Sequence, residues 1–231
     1  ADFPHYLMHR AEQLDNLYIF KNTEGTPENI RKFHPNIIVS STGSAPLLPP
    51  IAGLKDRIDN EKHNIYSILG MISHINDFPK DLEGKKVVVV GGGAVGLDVV
   101  EFFADRNADI SIVEMMDQIG RDLDPVSKND TKTMMKKHNV HQLTKTALLE
   151  VKDSSFLVRG DGEPYELPFE YGFVCLGMRA QGQLYQNLTE EFSSEDVEIM
   201  NIGDSQRARR IIDGTQEGRN ILTILEQKGY L

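Results

Sequence analysis

An α/β fold organised around a parallel, doubly wound sheet is the architecture this sequence predicts, and three observations predict it. The β-branched run Val87-Val88-Val89-Val90 reads as a strand that leads directly into Gly91-Gly92-Gly93-Ala94-Val95-Gly96. After the glycines, Val95, Val99, Phe102 and Phe103 recur at helical spacing, and Asp109-Ile110-Ser111-Ile112-Val113 then reads as a second strand. A further run, Asn36-Ile37-Ile38-Val39-Ser40, has the continuous hydrophobicity of a strand buried in a parallel sheet.

Strand, glycine turn, helix and strand together form the spacing G-x-G-x-x-G in the setting where it carries chemistry. Gly91 permits the sharp turn, Gly93 lets a pyrophosphate approach the backbone, and Gly96 lets the new helix pack against its strand. The helix opening at Ala94 and Val95 offers unpaired N–H groups and partial positive charge to the phosphates. The second strand ends on Glu114, 23 residues beyond Gly91. That is close to the ~20 expected for the acid that accepts hydrogen bonds from the adenosine ribose hydroxyls. No Arg or Lys follows until Arg121, which disfavours a 2′-phosphate, so NAD(H) is the expected ligand. The alternative is a glycine-rich turn that only packs a βαβ unit, and the flanking strands and acid argue against it.

Composition bounds the remaining possibilities. At 231 residues the chain holds one large domain or two of modest size, with enough length for a substantial core. A formal net charge of −10 argues against nucleic-acid and anionic-membrane partners, both of which need basic patches. No apolar run approaches the ~20 residues that span a bilayer, and the start Ala1-Asp2-Phe3-Pro4-His5 lacks a signal-peptide pattern, so a cytoplasmic protein is expected. The single cysteine, Cys175, excludes a disulfide or C-x-x-C pair within these residues and reads as a buried strand thiol. His138 and His141 lack companion ligands and read as surface histidines, so no metal site is expected.

In chain order, Phe3 to Leu14 is expected to be helical and Leu17-Tyr18-Ile19-Phe20 a short strand. Thr26-Pro27-Glu28-Asn29 reads as a helix start with Pro at the first position. The strand at 36–40 runs into Ser41-Thr42-Gly43-Ser44, and the Pro-rich stretch Pro46 to Pro50 reads as a boundary. A helix around Ile65 to Ile75 is expected within a connector spanning 51–81. The unit 82–196 then holds the glycine motif, a helix from Pro125 to His138, a strand from Val140 to Thr144, and strands Ser155 to Arg159 and Tyr165 to Leu167. The last pair flanks Gly160-Asp161-Gly162, a β-hairpin signal. A strand from Tyr171 to Leu176 closes the unit on Gly177, and Glu190 to Glu198 reads as an acidic linker. The segment 197–231 opens with a strand to Ile202, reaches Gly203-Asp204, and continues as a helix from Arg209 to Gln227. Gly214 and Gly218 inside that helix each cost about 1 kcal/mol relative to Ala, which close approach by a neighbour or a poorly optimised surface helix would explain.

Four motifs in this order, Ser41-Thr42-Gly43-Ser44, the glycine turn with Glu114, Cys175-Leu176-Gly177-Met178-Arg179-Ala180, and Ile202-Gly203-Asp204, give a family resemblance. The chain resembles the two-dinucleotide-domain flavoprotein family of pyridine-nucleotide reductases. It is more closely similar to the C-terminal FAD/NAD(P)H-binding region of 2,4-dienoyl-CoA reductase-like NADH:flavin oxidoreductases, the old yellow enzyme and trimethylamine dehydrogenase group. The stretches Phe173 to Ala180 and Ile202 to Gly218 carry that closer likeness. The resemblance implies a Rossmann-like NAD(P)-binding domain with a β-hairpin, at 82–196, inserted in an incomplete FAD-type doubly wound domain at 1–50 and 197–231. It assigns Thr42, Gly43, Ser44, Gly203 and Asp204 to a flavin site, and Gly91, Gly93, Gly96, Glu114 and Gly177 to a nicotinamide dinucleotide site.

The resemblance also sets expectations about what accompanies this chain. The family's FAD-type domain opens with its own glycine motif and acid-tipped strand, and only one such motif is present here, so residue 1 is expected to follow a missing unit. A barrel carrying the substrate site is also absent, and the chain reads as a fragment or isolated module that does not retain FAD. The implied chemistry is hydride transfer from NADH to a flavin, which needs no protein acid, base or nucleophile, so no catalytic residue is named. Two other readings stand beside this one. The pocket could hold ADP or NAD as a noncatalytic structural or regulatory ligand, or open sheet edges could pair with a second copy of the chain.

Overall fold

The computed structural model of the protein describes residues 2–230, so Ala1 and Leu231, the outer ends of the expected terminal segments, lie outside the described residues. The elements in chain order are α1 (Asp2–Glu12), α2 (Pro27–Arg31), β1 (Ile37–Ser40), β2 (Ser44–Pro46), α3 (Leu54–Arg57), β3 (Ile65–Tyr66), α4 (Ile68–Ser73), β4 (Lys86–Val90), α5 (Ala94–Ala104) and β5 (Asp109–Val113). They continue with α6 (Pro125–Lys137), β6 (His141–Leu143), β7 (Ala147–Val151), β8 (Ser155–Arg159), β9 (Tyr165–Pro168), β10 (Tyr171–Val174), β11 (Met178–Ala180), α7 (Gln183–Glu191), β12 (Glu198–Asn201) and α8 (Ile211–Gln227).

The main sheet is parallel throughout, in the order β3-β10-β4-β5-β6. Its central strand β4 explains why four consecutive valines belong here. Successive side chains point to opposite faces of a strand. Val87 and Val89 join Phe103, Ile110 and Phe173 on the α5 side, while Val88 and Val90 join Val151, Phe156 and Phe169 on the other. That second face is covered by the antiparallel meander β7-β8-β9, whose outer pair is the expected hairpin around Gly160-Asp161-Gly162. Both faces of β4 are therefore dry, and each buried valine contributes roughly 1.5 kcal/mol or more. The segment 51–81 also packs onto this body: β3 pairs with β10, and Leu54 and Ile65 are fully buried.

A smaller parallel pair, β1 with β12, joins segments about 160 residues apart in sequence. One face of it packs Ile38 against Leu188 and Phe192 of the α7 region. Arg31 clamps α2 to this helix, pairing with Glu191 and Glu195 and stacking over the Phe192 ring. The antiparallel ribbon β2-β11 links the two parallel sheets, because β2 follows β1 directly and β11 follows β10. The main sheet thus lies between the two strands of the smaller one in sequence.

Several expectations need correction. Leu17 to Phe20 forms no strand and has no ladder partner among the described residues, and all four side chains are exposed. An apolar run becomes a strand only when a neighbour completes its hydrogen bonds, which the run itself does not specify. The helix expected over Ile65 to Ile75 begins at Ile68, because Ile65 and Tyr66 are drawn into β3 and Ser67 caps the helix through Gly70 N–H. The acidic linker begins inside α7, where Glu190 and Glu191 form the last turn. The strand expected over Tyr171 to Leu176 ends at Val174, leaving Cys175 and Leu176 in the connection to Gly177.

Candidate nucleotide and flavin site

The glycine turn between β4 and α5 is built as its spacing requires. Gly91 has φ of +109°, and a Cβ there would stand 2.1 Å from the Cys175 carbonyl oxygen, so only glycine fits. At Gly96 a Cβ would lie 1.9 Å from the Gly91 carbonyl oxygen, which is how closely α5 packs on its own turn. Gly93 differs in kind. Its backbone is extended (φ −78°, ψ −179°), any residue can adopt it, and a Cβ would meet no atom within 4 Å. Nothing in the protein itself needs glycine there, and the space on that side is open. The first helical bond of α5 runs from Leu97 N–H to the Gly93 carbonyl, so the N–H groups of Ala94, Val95 and Gly96 have no helical partner. Their partial positive charge faces no side-chain cap, since Gly93 supplies none.

Glu114 follows β5 and folds back onto this turn. One carboxylate oxygen accepts the Gly92 N–H at 2.6 Å and the other the Met116 N–H at 2.7 Å, so the acid is fixed in orientation while retaining lone pairs. The segment after it also returns: Gly120 N–H donates to the Gly92 carbonyl at 2.7 Å, and Thr146 N–H to the Glu114 carbonyl at 2.9 Å. A cavity of about 660 Å³ results, lined among others by Gly91, Gly93, Ala94, Val95, Glu114 and Gly177. Six of the seven residues predicted for the dinucleotide site therefore meet in one cavity, and Gly96 lies behind it as packing. Its volume is in the range of pockets that hold small cofactors, and its lining is mainly apolar with a few placed polar groups.

Sequence reasoning missed several of the walls. Met115, Asp122, Thr146 and Leu148 line the same cavity, as does Cys175. The first four carry no motif, and only the return of the chain after β5 and β6 brings them there. Cys175 is buried beneath the glycine turn, and burial, with a smaller contribution from the Asp98 charge, pushes its thiol up to about 12. It is an inert wall at neutral pH.

The second predicted group also converges. The Ser44 hydroxyl donates to the Asp204 carboxylate at 3.0 Å across 160 residues of sequence. The other Asp204 oxygen accepts the Arg209 N–H at 3.1 Å. Gly43 and Gly203 stand beside them, each with open space where a Cβ would be. The turn at Gly203 is braced by a residue no motif singled out: Glu217 of α8 accepts the Gly203 N–H at 2.6 Å and pairs with Arg209. These two bonds hold the Glu217 carboxyl below the usual glutamate range. Thr42 turns aside, donating to the Gln181 carbonyl at 2.7 Å and lining a separate cleft of about 880 Å³ with Ala180, Asn201 and Ser205. The two groups connect through the ribbon: Leu47 N–H, one residue past β2, donates to the Gly177 carbonyl at 2.9 Å.

A parallel sheet with a glycine turn, a bare helix N-terminus and an acid-tipped neighbouring strand defines an FAD/NAD-binding, Rossmann-like α/β fold. The chain belongs to the pyridine nucleotide-disulphide oxidoreductase family, whose model matches residues 12–200. It is similar to a metal reductase of Desulforamulus reducens (26% identical over 95% of this chain and 36% of the relative). It is also similar to an NADH oxidase of Thermoanaerobacter brockii (26% identical over 83% of this chain and 28% of the relative). Among solved structures, 2-naphthoyl-CoA reductase in complex with 2-naphthoyl-CoA superposes with a TM-score of 0.75 at 21% identity, over 92% of this chain and 30% of that one. The chain spans about a third of the length of these relatives. Among the described residues, no helix is long and apolar enough to cross a membrane.

Proposed function

We propose that this chain binds NADH and positions it for hydride transfer to a flavin, as the electron-entry portion of an NADH:flavin oxidoreductase of the enoate or 2,4-dienoyl-CoA reductase type. The observation that carries the reading is the cavity where the open side of Gly93, the bare N-terminus of α5 and the fixed Glu114 carboxylate meet. The α5 N–H groups hold the pyrophosphate, and Glu114 accepts from the adenosine ribose hydroxyls. The apolar walls at Val95 and Leu176 exclude water from the nicotinamide end, which passes Gly177 towards the ribbon. Ser44 and Asp204, already bonded to each other, hold a flavin's sugar-alcohol chain, with Gly43 and Gly203 giving it room. When bound, the nicotinamide and flavin supply the redox chemistry themselves, and no side chain of this protein exchanges a proton with them.

In this reading 82–196 is the NADH-binding unit, 51–81 its connector, and 1–50 with 197–231 the flavin-facing part. The residues present supply one glycine turn for a pyrophosphate, and a flavin dinucleotide alongside NADH needs a second. FAD is therefore not held at one equivalent by these residues alone, and a flavin-to-protein ratio near one by absorbance would refute that. NADH oxidase activity in a relative and the family membership support the electron-entry role. The decisive experiment is stopped-flow mixing of NADH with the flavin-loaded parent protein. Flavin bleaching that is lost on Gly93→Val supports the reading. Binding of NADH or ADP without any bleaching instead identifies a noncatalytic nucleotide module.

A further inference from the structure

The segment from Met115 to Asp122 has two sides. Its Met115 and Asp122 border the nucleotide cavity, and its Asp117, Gln118, Ile119 and Gly120 border a second cleft of about 340 Å³ on the far side. The opposite wall is one face of α6, where Lys128, Thr131, Lys132 and Met135 recur at i, i+3, i+4 and i+7. Thr144, just past β6, adds a second hydroxyl, and the buried Met135 lies on the inner side.

Three features of this cleft suit an anion. Lys128 and Lys132 place two ammonium groups one helical turn apart, and among the described residues neither is in an ion pair. They stand in a chain of net charge −10. The backbone N–H groups of Asp117, Gln118 and Ile119, residues that border the cleft, have no backbone acceptor among the described residues. Asp117 is the one carboxylate among the lining residues, so the cleft keeps a net positive charge.

We propose that this cleft binds a phosphate group, held by the Lys128 and Lys132 ammonium groups with the Thr131 and Thr144 hydroxyls as further donors. The proposal stands apart from the dinucleotide reading, since none of these residues borders the nucleotide cavity. The phosphate reaches the cleft as free inorganic phosphate.

The test is amide chemical-shift titration of the full chain with potassium phosphate against potassium chloride at matched ionic strength. Saturable shifts centred on Gln118, Ile119, Thr131 and Thr144 are expected, with affinity in the millimolar range or tighter. The Lys128→Gln/Lys132→Gln variant should weaken binding roughly tenfold, and Asp117→Asn, which keeps both cations, should tighten it severalfold. Shifts that grow linearly without saturation, that chloride reproduces, or that neither substitution changes would overturn the proposal. A parallel titration with NADP⁺ and NAD⁺ checks that independence: the two dinucleotides should leave the cleft amides alike, and extra cleft shifts with NADP⁺ alone would overturn the assignment to the free ion.

Discussion

Gly93→Val separates the needs of the fold from those of the ligand. The Gly93 backbone is extended and the added side chain enters open space, so no steric penalty falls on the folded protein. A poorer N-cap costs about 0.5–1.5 kcal/mol, while a less flexible unfolded chain returns about 0.4–1 kcal/mol. Net stability should move by less than about 1 kcal/mol. The side chain then occupies the space through which a pyrophosphate reaches the N–H groups of α5, and binding should be lost. At a hundredfold excess over its dissociation constant, NAD stabilises the parent by about 2.7 kcal/mol. For a chain of this size that is a rise of roughly 5–10 °C in Tm. Thermal melts with and without NAD read both quantities. The reasoning fails if the variant melts far below the parent without ligand, or if NAD raises its Tm as much as the parent's.

Other substitutions probe neighbouring claims. Gly96→Ala should destabilise the ligand-free chain by about 1–3 kcal/mol or more in a denaturant titration, because its Cβ would stand 1.9 Å from the Gly91 carbonyl oxygen. Glu114→Ala should weaken NAD binding by about 1–3 kcal/mol and narrow the preference over NADP, read by calorimetry with both cofactors. Equal or tighter NADP binding by the parent would refute the role given to Glu114. The Cys175 thiol is pushed up to about 12 from an ordinary value of 9.0, so the folded state holds its proton more tightly. The resulting stability is present below pH 9 and is lost as pH rises towards 12, at up to about 1.4 kcal/mol per pH unit. Cys175→Ala should remove that part of the alkaline slope, and a thiol reagent at pH 8 should modify the parent only as fast as it opens.

The centre of the fold was legible because its signals are local. Four consecutive valines, three glycines at fixed spacing, and an acid at the end of the next strand announce β4, α5 and β5 within one short stretch of sequence. The same holds for α2, where Thr26 caps Asn29 ahead of Pro27, and for α6, where Asp124 caps Val126 and Ser127 ahead of Pro125. What was missed is made by pairing. The two residues of β3 and the three each of β2 and β11 are strands because of their partners, and Gly182 begins α7 with no side-chain cap to announce it. The site divides in the same way. Glycines and acid could be named from spacing, whereas the Ser44 to Asp204 bond, the Glu217 brace and the wall at Thr146 depend on the chain returning from far away. Arg121 shows the reverse limit: its distance from Glu114 in sequence says little, because Gly120 is bonded back to Gly92.

The central claim is that the cavity over the α5 N-terminus is a dinucleotide site, and isothermal titration of the folded chain with NADH tests it most directly. The account predicts saturable binding of one NADH per chain, abolished by Gly93→Val and unaffected by Lys128→Gln. A folded chain that takes up no NADH, or a Gly93→Val variant that binds it as tightly as the parent, would contradict it.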